Sequence, residues 1–138
     1  MSRENVEAMR RALEAWNRDD FDGWVESAHV DTEWVSDIAR RFEGSQKVYR
    51  GRDGLREYWD EWRTVWHLAV DVSEIQDHGD LVLALAHVSG HGRTSGVTLD
   101  ADVAYVATFD DAGVLLRVRS YMDPAEARAA VQAPGSYS

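Results

Sequence analysis

From residue 67 to residue 122 apolar side chains recur at every second position, and this periodicity constrains the fold more than any other feature of the chain. Leu68, Val70 and Val72 alternate with polar residues, Gly79 and Asp80 mark a turn, Leu81 to Gly92 reads as a long strand, and Thr94 to Gly96 turn again. Val97, Leu99, Ala101, Val103, Tyr105, Ala107 and Phe109 then alternate without a break. After a turn at Asp110 to Gly113, Val114 to Met122 makes a last strand. Successive strands joined by connections this short pair as an antiparallel meander. Long strands coil, and the glycines between Ser89 and Gly96 suit a sharply bent strand end.

The N-terminal half has the other period. Val6, Met9, Leu13 and Trp16 recur at spacings of three and four behind Ser2, a residue able to cap a helix, and Asp19 and Asp20 end the run. Asp20 is placed to cap a second short helix carrying Phe21, Trp24, Val25 and Ala28. Thr32 to Ser36 reads as a short strand anchored by Trp34; Ile38 to Gln46 reads as a polar loop, and Lys47 to Tyr49 as a short extended piece. A third helix follows Gly51 and Asp53, with Leu55, Trp59, Trp62 and Trp66 on one stripe. Asp123, Pro124 and Glu126 supply a cap, a first-turn proline and a capping-box acid for a short terminal helix.

A chain of 138 residues with 44% hydrophobic content builds one core, so residues 1–138 are expected to form a single domain with 132–138 as a frayed tail. The helices must lie across one face of the meander. The expected fold is α+β: a cone formed by a strongly curved mixed or antiparallel sheet, with three N-terminal helices on its concave face.

Composition removes several function classes. A formal net charge of −10 repels phosphate backbones and anionic lipid, and the basic residues, all arginine except Lys47, form no patch, so neither nucleic acid nor membrane is an expected partner. Without cysteine there is no thiolate chemistry and no disulfide. Met1 to Asn17 has no continuous apolar stretch, so a cytoplasmic location is expected. His87 and His91 sit four residues apart, about 13 Å along a strand, too far to share an ion, and no metal is expected. Gly90, Gly92 and Gly96 do not match a dinucleotide fingerprint, since no helix follows them.

Three stretches carry a family resemblance: ALEAWNRDDFDGWVESAHVDTEWV within Ala8 to Val35, YRGRDGLREYWDEW from Tyr49 to Trp62, and GHGRTSGVTLDADVAYVATFDDAGVLLRVRSYMDPAEA from Gly90 to Ala127. Over nearly its whole length the chain resembles a SnoaL-like member of the nuclear transport factor 2 superfamily, which includes polyketide cyclases, ketosteroid isomerases, dehydratases, epoxide hydrolases and members without known activity. The resemblance implies a conical fold with a deep pocket and a homodimer formed through the outer sheet face. Compared with the ketosteroid isomerases, the position of the oxyanion-binding tyrosine falls on Ala12, which cannot donate. The position of the general base falls on Ser36, next to Asp37, and that of the second donor on Tyr105. The chain is thus similar to the isomerases in shape but lacks their donor on the first helix.

Two residues stand out for chemistry. Asp37 follows the Trp34 strand, where an acid beside an apolar cavity can serve as general acid or base, although loop aspartates are commonly solvated. Tyr105 shares the inward face with Val103, Ala107 and Phe109, either as a core phenol bonded to backbone or water or as a donor to a ligand. Asp100 and Asp102 fall on the opposite face. Trp16, Trp34, Tyr49, Tyr58, Trp59, Trp62, Ser120 and Met122 are the expected pocket walls, opposite the small inward residues Ala84, Ala86, Val88 and Gly90. Two readings remain. One is an enzyme or enzyme-like binder of a small, mostly apolar molecule, for example a polyketide or other cyclic metabolite, using cofactor-free acid–base chemistry. The other is a non-catalytic module whose cone is closed by its own tryptophans, with Leu81, Leu83 and Leu85 on the outer face serving dimerisation.

Overall fold

The computed structural model describes residues 2–36 and 47–132. Helix α1 (Ser2–Asn17) turns into the short α2 (Phe21–Trp24), followed by β1 (Ala28–Ser36), β2 (Lys47–Arg50) and helix α3 (Gly51–Val65). Strands β3 (Trp66–His78), β4 (Leu81–Gly92), β5 (Thr98–Phe109) and β6 (Leu115–Tyr121) make the meander, and α4 (Pro124–Gln132) closes the described chain. The six strands form one sheet in the order β2-β1-β6-β5-β4-β3. Every neighbouring pair is antiparallel except β1 and β6, which run parallel, so the sheet is mixed.

The local signals act as their chemistry requires. Asp19 takes a left-handed φ of 60°, which ends α1, and the Oδ1 of Asp20 accepts from the Gly23 amide at 3.0 Å to start α2. At α3 the cap position is Arg50, which makes no side-chain cap, and Gly51 turns the chain with φ 67°, so Asp53 lies in the first turn instead of capping. The helical stripe ends one residue early: Trp66, placed on α3 by spacing, opens β3. Asp123 Oδ1 accepts from the Ala125 amide at 3.0 Å at the head of α4. The predicted loop from Ile38 to Gln46 lies outside the described residues.

Strand alternation divides the sheet into two faces. Inward residues Val82, Ala84, Ala86, Val88, Val103, Tyr105, Ala107, Phe109 and Val118 join the helices in one large core. Outward residues Leu83, Leu85, Ala104, Val106 and Tyr121 form a second, smaller core with Ala127 of α4. Leu83 is fully buried in that layer, so the outer leucines do not present a bare apolar face: the terminal helix covers them.

Curvature is built in at irregular points. The β3–β4 ladder slips between Val72 and Glu74, and the β1–β6 ladder slips between Ala28 and Glu33. Near the end of β4, a Cβ on Gly90 would stand 1.9 Å from the carbonyl oxygen of His67, so only glycine lets β3 and β4 approach there. The helical layer is tied to the sheet by polar contacts. The Asn17 side chain donates to Val70 O (2.7 Å) and accepts from Val70 N (2.9 Å), imitating a strand partner. Arg63 pairs with Asp19 at 2.9 Å while its guanidinium lies over the rings of Trp59 and Trp16, 4.3 and 4.9 Å from their centroids.

Replacing Gly90 by alanine is expected to destabilise the fold by about 1–3 kcal/mol, since backbone must shift to admit the methyl. Urea unfolding of Gly90→Ala beside the parent chain checks this, with Gly96→Ala, where a φ of 73° strains alanine but nothing lies within 4 Å of the added Cβ, separating conformational strain from the clash.

Candidate functional site

The interior is organised by a chain of aromatic rings from three helices, β1 and β5. Trp16 meets Trp59 at 4.9 Å and Trp24 at 5.5 Å between centroids; Trp24 meets Trp34 at 5.4 Å; Trp34 meets Tyr58 at 5.0 Å and Tyr105 at 5.9 Å. These separations are those of favourable edge and tilted aromatic pairs. Helical spacing puts Trp16 on α1 and Tyr58, Trp59 and Trp62 on α3, and the pleat puts Trp34 on the inward face of β1 and Tyr105 on that of β5.

Two small cavities lie among these rings. The larger, about 30 Å³, is bounded by α1 (Ala8, Ala12), the turn before β1 and the inward residues Thr32, Phe109 and Val118. The smaller, about 20 Å³, lies towards Trp62, Leu68, Val70 and Val88. Leu13, Trp24, Trp34 and Tyr105 line both, and so form the partition between them. Each has room for a water or two, far less than the 300–1,000 Å³ or so of a typical ligand pocket. With these side-chain positions the cone is almost filled.

Polar tips nevertheless converge inside it. Ser36 and Ser120 are fully buried, and Ser120 stands across the β5–β6 ladder from Tyr105. Burial raises the Tyr58 pKa above that of an ordinary phenol; hydrogen bonding with Ser36 and the neighbouring Trp34 opposes the shift, and the negative charge of Glu61 adds to it. Burial likewise raises the pKa of Tyr105, with Tyr58 adding to the shift. Both phenols therefore stay protonated across the physiological range and can donate a hydrogen bond, but neither can act as a base. The Trp34 indole lies beside the Tyr58 hydroxyl, and Trp16 Nε1 is buried without a partner among the described residues.

The expected site residues are thus distributed unevenly. Trp16, Trp34, Tyr58, Trp62 and Tyr105 line the smaller cavity, and Trp34 and Tyr105 the larger as well. Trp59 packs against Trp16, Phe21 and Trp24 and lines neither. Tyr49 is buried and donates to Glu61 Oε2 at 2.9 Å, also away from the cavities. Met122 is partly buried against the main core, and Asp37 lies outside the described residues. The sequence reading missed Glu61, whose position on α3 resembles a solvated face, and Ala8 and Ala12, whose small size opens the larger cavity.

On the outer face Asp100 and Asp102 are exposed, as alternation requires, and both meet His87: Asp102 at 2.8 Å from Nδ1, and Asp100 at Nε2. His67 lies across the β3–β4 ladder from His91, their rings 5.6 Å apart. Among the described residues no three His, Asp or Glu side chains are arranged to hold a metal ion, and no helix is long and apolar enough to cross a membrane.

The SnoaL-like domain family model matches residues 9–118, and the chain belongs to that family. No curated protein matches the chain. Among solved structures it is similar to an NTF2-like protein of unknown function from Burkholderia pseudomallei, with a TM-score of 0.78, 19% identity, and coverage of 96% of this chain and 100% of that one. TerC, co-crystallised with polyporic acid, superposes with a TM-score of 0.76 at 21% identity, covering 94% of this chain and 99% of its own. Rv0760c from Mycobacterium tuberculosis, in complex with estradiol-17beta-hemisuccinate, gives 0.72 at 15% identity, covering 87% and 94%. At these identities the likeness establishes the fold, an α+β NTF2-like cone.

The His87 pair yields a pH prediction. Hydrogen bonding to Asp102 is the largest influence on His87; desolvation opposes it, and the Asp100 contact and both negative charges add to it, so the His87 pKa is raised above the ordinary histidine value. Whatever stability this adds is present in full below the unfolded-state histidine pKa and is lost as pH rises through the folded-state value. An NMR titration should find His87 titrating above a model histidine, and Asp102→Asn should move it back down.

Proposed function

We propose that this SnoaL-like protein binds a small, mostly apolar, ring-containing molecule inside its cone, and that the partition formed by Leu13, Trp24, Trp34 and Tyr105 opens to join the two cavities around it. The observation that carries this reading is Tyr105: a neutral, buried phenol lining both cavities among flat aromatic walls. Such a group fixes the orientation of a ligand oxygen, while the rings supply apolar contact. That TerC was crystallised with polyporic acid and Rv0760c with a steroid ester supports cyclic ligands for this fold.

The chemistry proposed is cofactor-free acid–base catalysis: Asp37 moves the proton, and Tyr105 donates to the oxygen on which charge develops. Cyclisation, isomerisation, dehydration and hydrolysis all fit this pair of roles. Trp16, Trp34, Tyr58 and Trp62 would line the ligand, Ser120 would support Tyr105 from the neighbouring strand, and Tyr49, Trp59 and Met122 would back the wall. The protein is proposed to act in the cytoplasm as a homodimer, paired through the outer-face strip of His67, His87, His91, Asp100 and Asp102 that α4 leaves uncovered. A second reading, a non-catalytic module with a closed interior, is favoured by one observation, the small size of both cavities.

A thermal-shift screen of cyclic apolar compounds separates the two. Binding at a hundred times Kd stabilises the native state by about 2.7 kcal/mol and raises Tm accordingly. For any compound that binds, Tyr105→Phe should weaken affinity about tenfold through loss of one buried hydrogen bond, and Asp37→Asn should leave binding intact while abolishing turnover. A screen in which nothing raises Tm leaves the closed-module reading standing. Sedimentation equilibrium should give the mass of two chains, and Asp100→Lys with Asp102→Lys should shift it towards one.

A further inference from the structure

We infer that His67 and His91, facing each other on the outer sheet face, form a binding site for a divalent transition-metal ion of the zinc kind, and that the same pair from a second copy of the chain completes its coordination. The inference rests on the reading that two copies pair through this strip, and it names what holds them there. Strand spacing keeps His87 and His91 too far apart to share an ion, but the antiparallel register sets His91 directly across from His67. Their ring centres are 5.6 Å apart. Two imidazoles that each reach one zinc ion through a nitrogen about 2.1 Å away, at a tetrahedral angle, have ring centres about 5 Å apart. Small side-chain rotations therefore bring both rings onto a single ion.

The backbone beneath the pair is held in place. Leu68 and Gly90, the next pair along the ladder, pack so closely that a Cβ on Gly90 would meet the His67 carbonyl. Both histidines are exposed, and no hydrogen bond or ion pair among the described residues engages either ring. The neighbouring charges favour a cation. Asp71, Asp100 and Asp102 stand exposed on the same face, whereas the Arg93 guanidinium is turned away to donate to the Arg63 carbonyl at 2.6 Å. Imidazole ligands suit zinc, nickel or copper, while magnesium and calcium take oxygen ligands.

One chain supplies two ligands, and a tetrahedral ion takes four. A twofold axis beside the pair brings an identical pair from a second copy to the open positions, since an isologous contact sets a surface patch against itself. The ion also offsets a repulsion built into that contact. Each chain carries a formal charge of −10, and pairing this strip with its own copy sets aspartate near aspartate, which a shared divalent cation counters. The pair lies on the sheet face opposite the two cavities, so the ion holds subunits together and has no part in the chemistry of the interior.

The test uses the full chain, stripped with EDTA and then given ZnCl2 or MgCl2. Sedimentation equilibrium should give the mass of one chain in EDTA or magnesium and of two chains in zinc, with calorimetry giving one zinc ion per two chains. His67→Ala and His91→Ala should each weaken zinc binding at least about tenfold, since loss of a group that merely supports a ligand already costs that much, and should return the zinc-treated sample to one chain. In ¹H–¹³C spectra of the unsubstituted chain, the ring signals of His67 and His91 should move on zinc addition while those of His29 and His78 stay in place, which keeps the test decisive even if a variant fails to fold. A two-chain mass that persists in EDTA overturns the shared ion and leaves the sheet-face dimer standing. Zinc bound at one ion per chain without association, or zinc binding that both substitutions leave unchanged, overturns the shared site. A one-chain mass in every condition, with no zinc taken up, overturns the dimer reading and the inference together.

Discussion

Bulky indoles packed against a bent, small-residue sheet face are the contact on which the rest of the molecule depends. Trp16, Trp24, Trp34, Trp59 and Trp62 meet strands whose inward positions are Ala84, Ala86, Val88 and Ala107. Large rings can only be accommodated where the opposing surface is shallow. The same match leaves little free volume, so the protein sits close to the limit at which a hollow cone becomes a filled one. Two narrow cavities remain where ring edges fail to interlock, and they meet at Tyr105.

Polar groups inside such a core are costly unless paired, and their distribution separates structure from function. Asn17 spends its amide on Val70, Thr32 its hydroxyl on the Leu115 carbonyl, and Tyr49 its phenol on Glu61. Each of these staples one element to another. Tyr105 and the indole of Trp16 form no comparable staple among the described residues, yet both residues line the smaller cavity. Burial keeps the phenols protonated, so neither Tyr58 nor Tyr105 can act as a base, and no carboxylate or histidine is among the described residues that line the smaller cavity.

The outer face has its own division. Near β6 and α4 it is apolar and covered, with Leu83, Leu85, Ala104, Val106 and Tyr121 under the terminal helix. Towards the far end of β4 it becomes a grid of histidine and aspartate, with His87 between Asp100 and Asp102. Strand alternation accounts for both halves, since residues two apart share a face; which half is exposed is decided by the length and docking of α4.

The sequence determined everything that depends on local periodicity and short-range chemistry. The period of two set the meander and the inward face of Tyr105, the period of three to four set the helical stripes, and Asp20 and Asp123 set two helix starts, because each effect acts within a few residues. It misjudged Trp66 by one position, since a stripe does not announce where a helix gives way to a strand. Only the tertiary structure decided which tryptophans border free space and which, like Trp59, are packed solid. It alone joined β1 in parallel to β6, brought Glu61 to Tyr49, and laid α4 over the leucines of β4. These outcomes depend on how side chains distant in sequence share volume, and shared volume is a property of the whole packed core that no local pattern encodes.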